Sequence, residues 1–193
     1  MRAPVKANLD LSYVQFLVAD DSRFMRRLVV SVLKAFGARM VEEVSTGQDA
    51  YEAIRVGNHD IVLLDWEFPD RSGESVMREI RTPGHPGAFQ TVIMMSGHDE
   101  QRRIERALRF GVNGYVAKPV APSTLYAQIR QTILHPRPYL RTERYFGPQH
   151  PLIVEQLRQQ ELRAKNARET SDLPPAAGSH NDAFNIDDVA LFD

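Results

Sequence analysis

The chain has 193 residues, 42% of them hydrophobic, and a formal net charge of −1. That is enough for one domain of roughly 100–150 residues plus an extension, and the near-neutral balance gives no nucleic-acid signature for the chain as a whole. There is no cysteine, which excludes a disulfide scaffold, a zinc–thiolate site and a Cys nucleophile and fits a reducing compartment.

Met1 to Asp10 carries no apolar run of signal-peptide type. No stretch approaches the roughly 20 apolar residues of a membrane span. The expectation is a soluble, cytoplasmic protein with no membrane insertion.

Short apolar strands alternate with amphipathic helices over residues 11–136. Val14 to Val18 is strand-like and stops at Asp20-Asp21. Ser22 then caps a helix whose apolar residues Phe24, Leu28, Val29, Val32, Leu33 and Phe36 are spaced for one face. Gly37 ends it, and Arg39 to Val44 forms the second strand. Ser45 or Thr46 opens a second helix through Ala50, Ala53 and Ile54, which Gly57 closes.

Ile61-Val62-Leu63-Leu64 is a continuous apolar run ending at Asp65. Such a run suits the middle of a parallel sheet, where both faces are buried. A third helix follows over Ser75–Arg81, a fourth strand over Val92–Met95 ending at Ser96, and a fourth helix over Glu100–Phe110. Tyr115-Val116-Ala117 is a fifth strand ending at Lys118-Pro119, and Ser123–Leu134 is the last helix of the series. Five strand–helix repeats predict a doubly wound α/β sheet.

After Pro136 the texture changes. Pro136, Pro138, Pro148 and Pro151 punctuate a stretch of little apolar content, and residues 137–168 hold seven basic and three acidic residues. A polar helix is possible at 153–166. The tail, 169–193, has six acidic residues and no Lys or Arg, and it reads as disordered. Its end, Phe184 to Phe192, alternates acids with bulky apolar residues, as short segments that order on a partner do.

Asp20, Asp21, Asp65, Ser96 and Lys118 share one property. Each stands at, or just beyond, the C-terminal end of a predicted strand. In an open parallel sheet those ends converge on one edge, where ligands bind. Three carboxylates meeting there repel one another, so a cation must hold them ionised. A hard divalent ion such as Mg²⁺ suits oxygen ligands, and Lys118 adds a fixed charge. A carboxylate is a competent nucleophile toward phosphorus, and phosphoryl transfer needs positioning and charge neutralisation more than covalent help. Taken singly, Asp20 and Asp21 could be helix caps, Ser96 a turn residue and Tyr115 core packing. The set together favours chemistry.

Four pieces carry a resemblance. They are Val18-Ala19-Asp20-Asp21-Ser22; Leu64-Asp65-Trp66-Glu67-Phe68-Pro69 with Gly73; Met95-Ser96-Gly97; and Gly114-Tyr115-Val116-Ala117-Lys118-Pro119. With them, residues 11–136 resemble the bacterial response-regulator receiver family, in the manner of a stand-alone, CheY-like regulator with a C-terminal extension. The resemblance implies a flavodoxin-like sheet of order 2-1-3-4-5 with five helices, followed by a mostly non-globular extension. It implies phosphorylation of Asp65 by a histidine kinase or histidine phosphotransfer protein, with Lys118 and Ser96 assisting. It implies Mg²⁺ (or Mn²⁺) on Asp20, Asp21, Asp65 and the Glu67 backbone carbonyl, a Ser96–Tyr115 switch, and a cis bond before Pro119. Such a protein is not a conventional enzyme; it transfers and loses its own phosphoryl group and signals to a downstream protein.

Glu67 and His98 lie at two places where the family varies and tunes the lifetime of the acyl phosphate. The extension piece Pro136 to Thr142 with Tyr145-Phe146-Gly147-Pro148 resembles that of some stand-alone alphaproteobacterial receivers, which continue with Asp-Arg-Arg where this chain has Gln149-His150-Pro151. Tyr139, Tyr145 and Phe146 either fold back onto the receiver or dock on a partner. The alternative function is nucleic-acid binding by residues 137–168, against which stands the scarcity of stacking aromatics. A degenerate receiver-like module and a flavodoxin-like nucleotide binder are the other readings; the latter lacks a glycine-rich phosphate loop after the first strand.

Overall fold

The computed structural model describes residues 9–97, 101–143 and 145–171. The chain divides into two units, residues 1–156 and 157–193. Five strands, β1 (Gln15–Ala19), β2 (Met40–Val44), β3 (Ile61–Asp65), β4 (Thr91–Ser96) and β5 (Gly114–Ala117), form a sheet of order β2-β1-β3-β4-β5. All its pairings are parallel. Helices α1 (Arg23–Ala35), α2 (Gly47–Val56), α3 (Gly73–Ile80), α4 (Gln101–Arg109) and α5 (Pro122–Leu134) connect and flank the strands. This is the doubly wound, flavodoxin-like arrangement expected from the strand–helix alternation.

The alternation of side chains along each strand divides the core in two. Phe16, Val18, Leu63, Ile93 and Met95 pack on one face against Val29 and Leu33 of α1 and Leu125 and Ile129 of α5. Leu17, Val62, Leu64 and Met94 point the other way and are equally buried, as are Ile54 of α2 and Met77 and Ile80 of α3. The central strand β3 is buried at every residue, so its unbroken apolar run is what two covered faces require. β2, at the sheet margin, exposes Met40, Glu42 and Glu43 instead.

Local signals set the boundaries. The hydroxyls of Ser22, Thr46 and Ser72 accept from the backbone N–H of Met25, Asp49 and Ser75, capping α1, α2 and α3. Gly57 closes α2 in the left-handed conformation, φ 80°. Phe24 departs from the helical stripe predicted for α1: it is 73% exposed. The first turn of α1 begins at the C-terminal edge of the sheet, where no strand lies beneath it, so the apolar face starts only further along the helix.

Two elements follow α5. An antiparallel pair, β6 (Tyr139–Arg141) and β7 (Phe146–Pro148), precedes α6 (Pro151–Ser171). Pro151 occupies the first position of α6, where its missing N–H costs no hydrogen bond. Within the first unit the hairpin folds back onto the receiver, the first of the two fates open to Tyr139, Tyr145 and Phe146. Its anchor is Arg81, just past α3. The Arg81 guanidinium is buried, and its three nitrogens are all engaged. Nε donates to the Gly111 carbonyl at 2.8 Å. Nη1 donates to the carbonyls of Gly87 at 3.4 Å and Ala88 at 2.9 Å. Nη2 reaches the Gln90 carbonyl at 2.7 Å and Asn113 Oδ1 at 3.3 Å. The Tyr139 ring covers the guanidinium at 5.4 Å, and the Tyr139 hydroxyl donates to the Phe89 carbonyl at 3.0 Å. Phe89, Tyr139 and Phe146 pack ring to ring, with centroids 5.0–5.8 Å apart. Among the described residues, no helix is long and apolar enough to cross a membrane.

Candidate functional site

The C-terminal ends of β1, β3, β4 and β5 bring Asp20, Asp65, Ser96 and Lys118 to one edge of the sheet. Parallel register aligns them: Ala19 pairs with Leu64, Asp65 with Met95, and Ser96 with Ala117. Lys118 Nζ stands 2.7 Å from Asp20 Oδ2 and 2.7 Å from Asp65 Oδ2. The backbone N–H of Lys118 donates to the Ser96 carbonyl at 2.7 Å, and the Lys118–Pro119 peptide is cis.

Carboxylate oxygens of Asp20, Asp21 and Asp65 lie within 4.8 Å of one another. Asp20 and Asp65 are buried and Asp21 is exposed. Asp20 also shapes the turn that follows it, because its Oδ1 accepts from the Ser22 N–H at 2.9 Å. Its Oδ2 is buried and has the Lys118 ammonium for a neighbour but no aligned hydrogen bond.

Burial pushes the Asp65 carboxyl above its ordinary pKa, and the Asp20 charge adds to this; the Lys118 hydrogen bond opposes both. For Lys118, burial alone would lower the pKa, but the carboxylates of Asp20 and Asp65 beside its ammonium outweigh it and hold it charged. Two carboxylates therefore share one cation, with a third carboxylate beside them. The site carries more negative charge than its own cation offsets.

The loop after Asp65 is tightly turned. The Trp66 N–H donates to the Met95 carbonyl at 2.9 Å, and the Gly73 N–H returns to the Trp66 carbonyl at 2.9 Å. A Cβ at Gly73 would run into the Asp65 carbonyl oxygen, so glycine there permits the loop to close on the strand end. The Glu67 side chain reaches α4, with Oε1 3.1 Å from Arg103 Nη1. Ser96 is buried and Tyr115 half-buried. His98 lies outside the described residues.

Two arginines near this edge were not assigned to the pocket by the sequence, which placed Arg106 only on a basic fourth-helix face. Arg26 of α1 donates to the backbone carbonyls of Asp20 at 2.7 Å and Asp21 at 3.2 Å, fixing the turn that carries the acid pair. Arg106 of α4 bonds Glu74 at 2.7 Å and stands over the Trp66 ring at 6.0 Å. Only a known topology would bring these partners near: Arg26 serves two carbonyls and, at 3.6 Å, Glu43 of β2, and Arg106 reaches across from another helix.

The model of the response regulator receiver domain family matches residues 16–130, more than half of the chain. This chain belongs to that family. It is 30% identical over 112 residues to the chemotaxis protein CheY-3 of Vibrio cholerae, covering 58% of this chain and 85% of that one. It is 29% identical over 118 residues to the chemotaxis protein CheY of Pseudomonas aeruginosa, covering 61% and 94%. Among solved structures, the signal receiver domain of the response regulator NarL from Mycobacterium tuberculosis aligns with a TM-score of 0.56 at 27% identity, over 63% of this chain and 97% of that one. The protein is thus a CheY-like receiver of two-component signalling, and the family match ends before the hairpin and α6.

Receivers bind Mg²⁺ at an acidic aspartate cluster, and Asp20, Asp21 and Asp65 form such a cluster here. The residues fit the ion chemically. All three are hard oxygen donors, their oxygens lie within 4.8 Å of one another, and the buried Asp20 Oδ2 lacks an aligned donor.

Proposed function

We propose that Asp65 accepts a phosphoryl group from a histidine kinase or histidine phosphotransfer protein, and that the phosphorylated protein signals by contact with a downstream protein. The observation that carries this reading is Lys118 Nζ at 2.7 Å from both Asp20 and Asp65. It supplies a fixed cation beside a carboxylate at the end of the central strand. In the reaction a carboxylate oxygen of Asp65 attacks phosphorus, the donor's P–N bond breaks, and the donor imidazole leaves with the bonding pair. Lys118 offsets the charge on the transferring group, and the Ser96 hydroxyl donates to one of its oxygens. Asp20 and Asp21, with Asp65 and the Glu67 carbonyl, would hold Mg²⁺ or Mn²⁺. When bound, the ion neutralises the clustered carboxylates and the phosphoryl oxygens. Tyr115 follows Ser96 as the reporter of the phosphorylated state. Arg26 positions the acid pair without touching the reacting atoms.

The nucleic-acid alternative loses support from the hairpin. Tyr139 and Phe146, which could have stacked on bases, pack on Arg81 and Phe89 instead. The test of the main reading is intact mass after incubation with Mg²⁺ and a small-molecule phosphodonor. One added phosphoryl group is expected, lost on addition of EDTA beforehand. An unmodified protein, under conditions that label another receiver, would overturn it for such donors.

A further inference from the structure

The acceptor loop and the C-terminal hairpin lie at opposite ends of the sheet, yet an unbroken series of contacts joins them. Trp66 follows Asp65 directly. Its buried ring meets Phe110 edge-on, with centroids 6.5 Å apart. Arg78 of α3 packs on the Phe110 ring, 4.9 Å from its centroid. Phe110 directly follows α4 and precedes Gly111, whose carbonyl is a ligand of the Arg81 guanidinium.

Gly111 also touches the hairpin backbone to backbone. A Cβ on Gly111, which has φ 76°, would lie 3.0 Å from the Phe146 carbonyl oxygen. A Cβ on Gly147 would lie 2.7 Å from Gly111 Cα and 2.9 Å from the Tyr145 hydroxyl. No side chain cushions this contact, so a shift of one backbone must be met by the other. A second tie runs from α4 to the start of α6, where Arg109 Nε donates to Gln156 Oε1 at 3.1 Å.

We propose that the hairpin Tyr139–Pro148 is an output element of this receiver, released when the Asp65 pocket is occupied, through Trp66, Phe110 and the Gly111–Gly147 contact. The proposal rests on the reading of Asp65 as phosphoryl acceptor. A phosphoryl group brings about two negative charges next to Trp66. The Arg106 guanidinium, poised over that ring and held by Glu74, is drawn toward them, and the Trp66–Phe110 packing gives way. The sign follows from the structure: Arg81 is fully liganded and covered, so the change open to the hairpin is loosening. Linkage makes the coupling reciprocal. Anything that loosens the hairpin must favour the occupied pocket by the same factor.

The test uses the full chain with Mg²⁺ and beryllofluoride, a phosphoryl mimic. Fluorescence of Trp66, the single tryptophan, follows pocket occupancy, and amide hydrogen exchange follows residues 139–148. Saturating beryllofluoride should speed exchange of these amides about five-fold or more in the wild type. Gly147→Ala wedges the hairpin away from Gly111 and should lower the beryllofluoride midpoint by about the same factor. Tyr139→Phe, which removes only the hydroxyl bonds to Phe89 and Gln90, should shift it less and in the same direction. If Gly147→Ala does not fold, Tyr139→Phe and the wild-type exchange decide. A saturated pocket with unchanged exchange at 139–148, or midpoints equal in wild type and variants, would overturn the proposal and leave the acceptor reading standing. No beryllofluoride response and no phosphoryl adduct on Asp65 would remove both.

Discussion

Two cations of this receiver, the half-buried Lys118 and the buried Arg81, are treated in opposite ways. At the C-terminal edge of the sheet, Lys118 faces two carboxylates at 2.7 Å each, a third acid stands close by, and one carboxylate oxygen has no aligned donor. Around the N-terminal ends of β4 and β5, Arg81 has only neutral oxygens as hydrogen-bond partners among the described residues. Burial leaves the Arg81 pKa below the usual arginine range, while the two carboxylates hold that of Lys118 above its own. One centre is charge-unbalanced and ready for a ligand; the other is saturated and structural. Satisfied polar networks rigidify, whereas an uncompensated cluster marks a functional edge.

The sharpest break of the contrast is Asp65→Asn. It should abolish phosphoryl uptake from a small-molecule donor in an intact-mass assay, while the fold, read by circular dichroism, persists. On the structural side, Arg81→Met leaves several buried carbonyls without donors and should cost about 3 kcal/mol or more. Urea denaturation would register it as a lowered midpoint, and phosphoryl uptake by the folded fraction should survive. A stability within about 0.5 kcal/mol of wild type would mean that water substitutes for the guanidinium.

The hairpin cover supplies a pH test. Burial pushes the Tyr145 hydroxyl, which donates to the Pro148 carbonyl at 2.7 Å, up to about 12. A folded-state pKa above the unfolded value of about 10 gives stability that is complete below that unfolded value and lost as pH rises through the folded one. The amount at stake is about 2–3 kcal/mol. Ultraviolet titration should show one tyrosine ionising late; its absence in Tyr145→Phe would assign it. The smallest effect belongs to the acid pocket. Mg²⁺ at about ten times its Kd should stabilise the wild type by about 1.4 kcal/mol, seen as a higher Tm, and Asp21→Ala should remove most of that gain. Equal shifts in the two proteins would place the ion elsewhere.

The two centres were not equally legible. Asp20, Asp65, Ser96 and Lys118 could be read because each follows a recognisable apolar strand, and parallel topology makes strand ends meet. Arg81 could not. A charged residue ending a helix reads as solvated, and its partners are mostly backbone carbonyls, which every residue type supplies. The hairpin was hidden for a related reason. Its strands are three residues each, too short for period-two alternation to register, and the prolines around them read as breaks. Phe24 shows the converse, since a periodic pattern does not reveal where the sheet beneath a helix begins.

The Arg81 centre also has an order of assembly. Its ligands Gly87, Ala88, Gln90, Gly111 and Asn113 leave the ribosome soon after it, but the covering Tyr139 and Tyr145 come at the far end of α5. At typical synthesis rates the stretch from Arg81 to Tyr145 takes roughly 3–13 s. Until that stretch is complete the guanidinium lacks its aromatic cover. A chain stalled before Tyr139 should therefore present to chaperones and proteases a receiver whose acid-pocket residues are all made but whose opposite end lacks its cover.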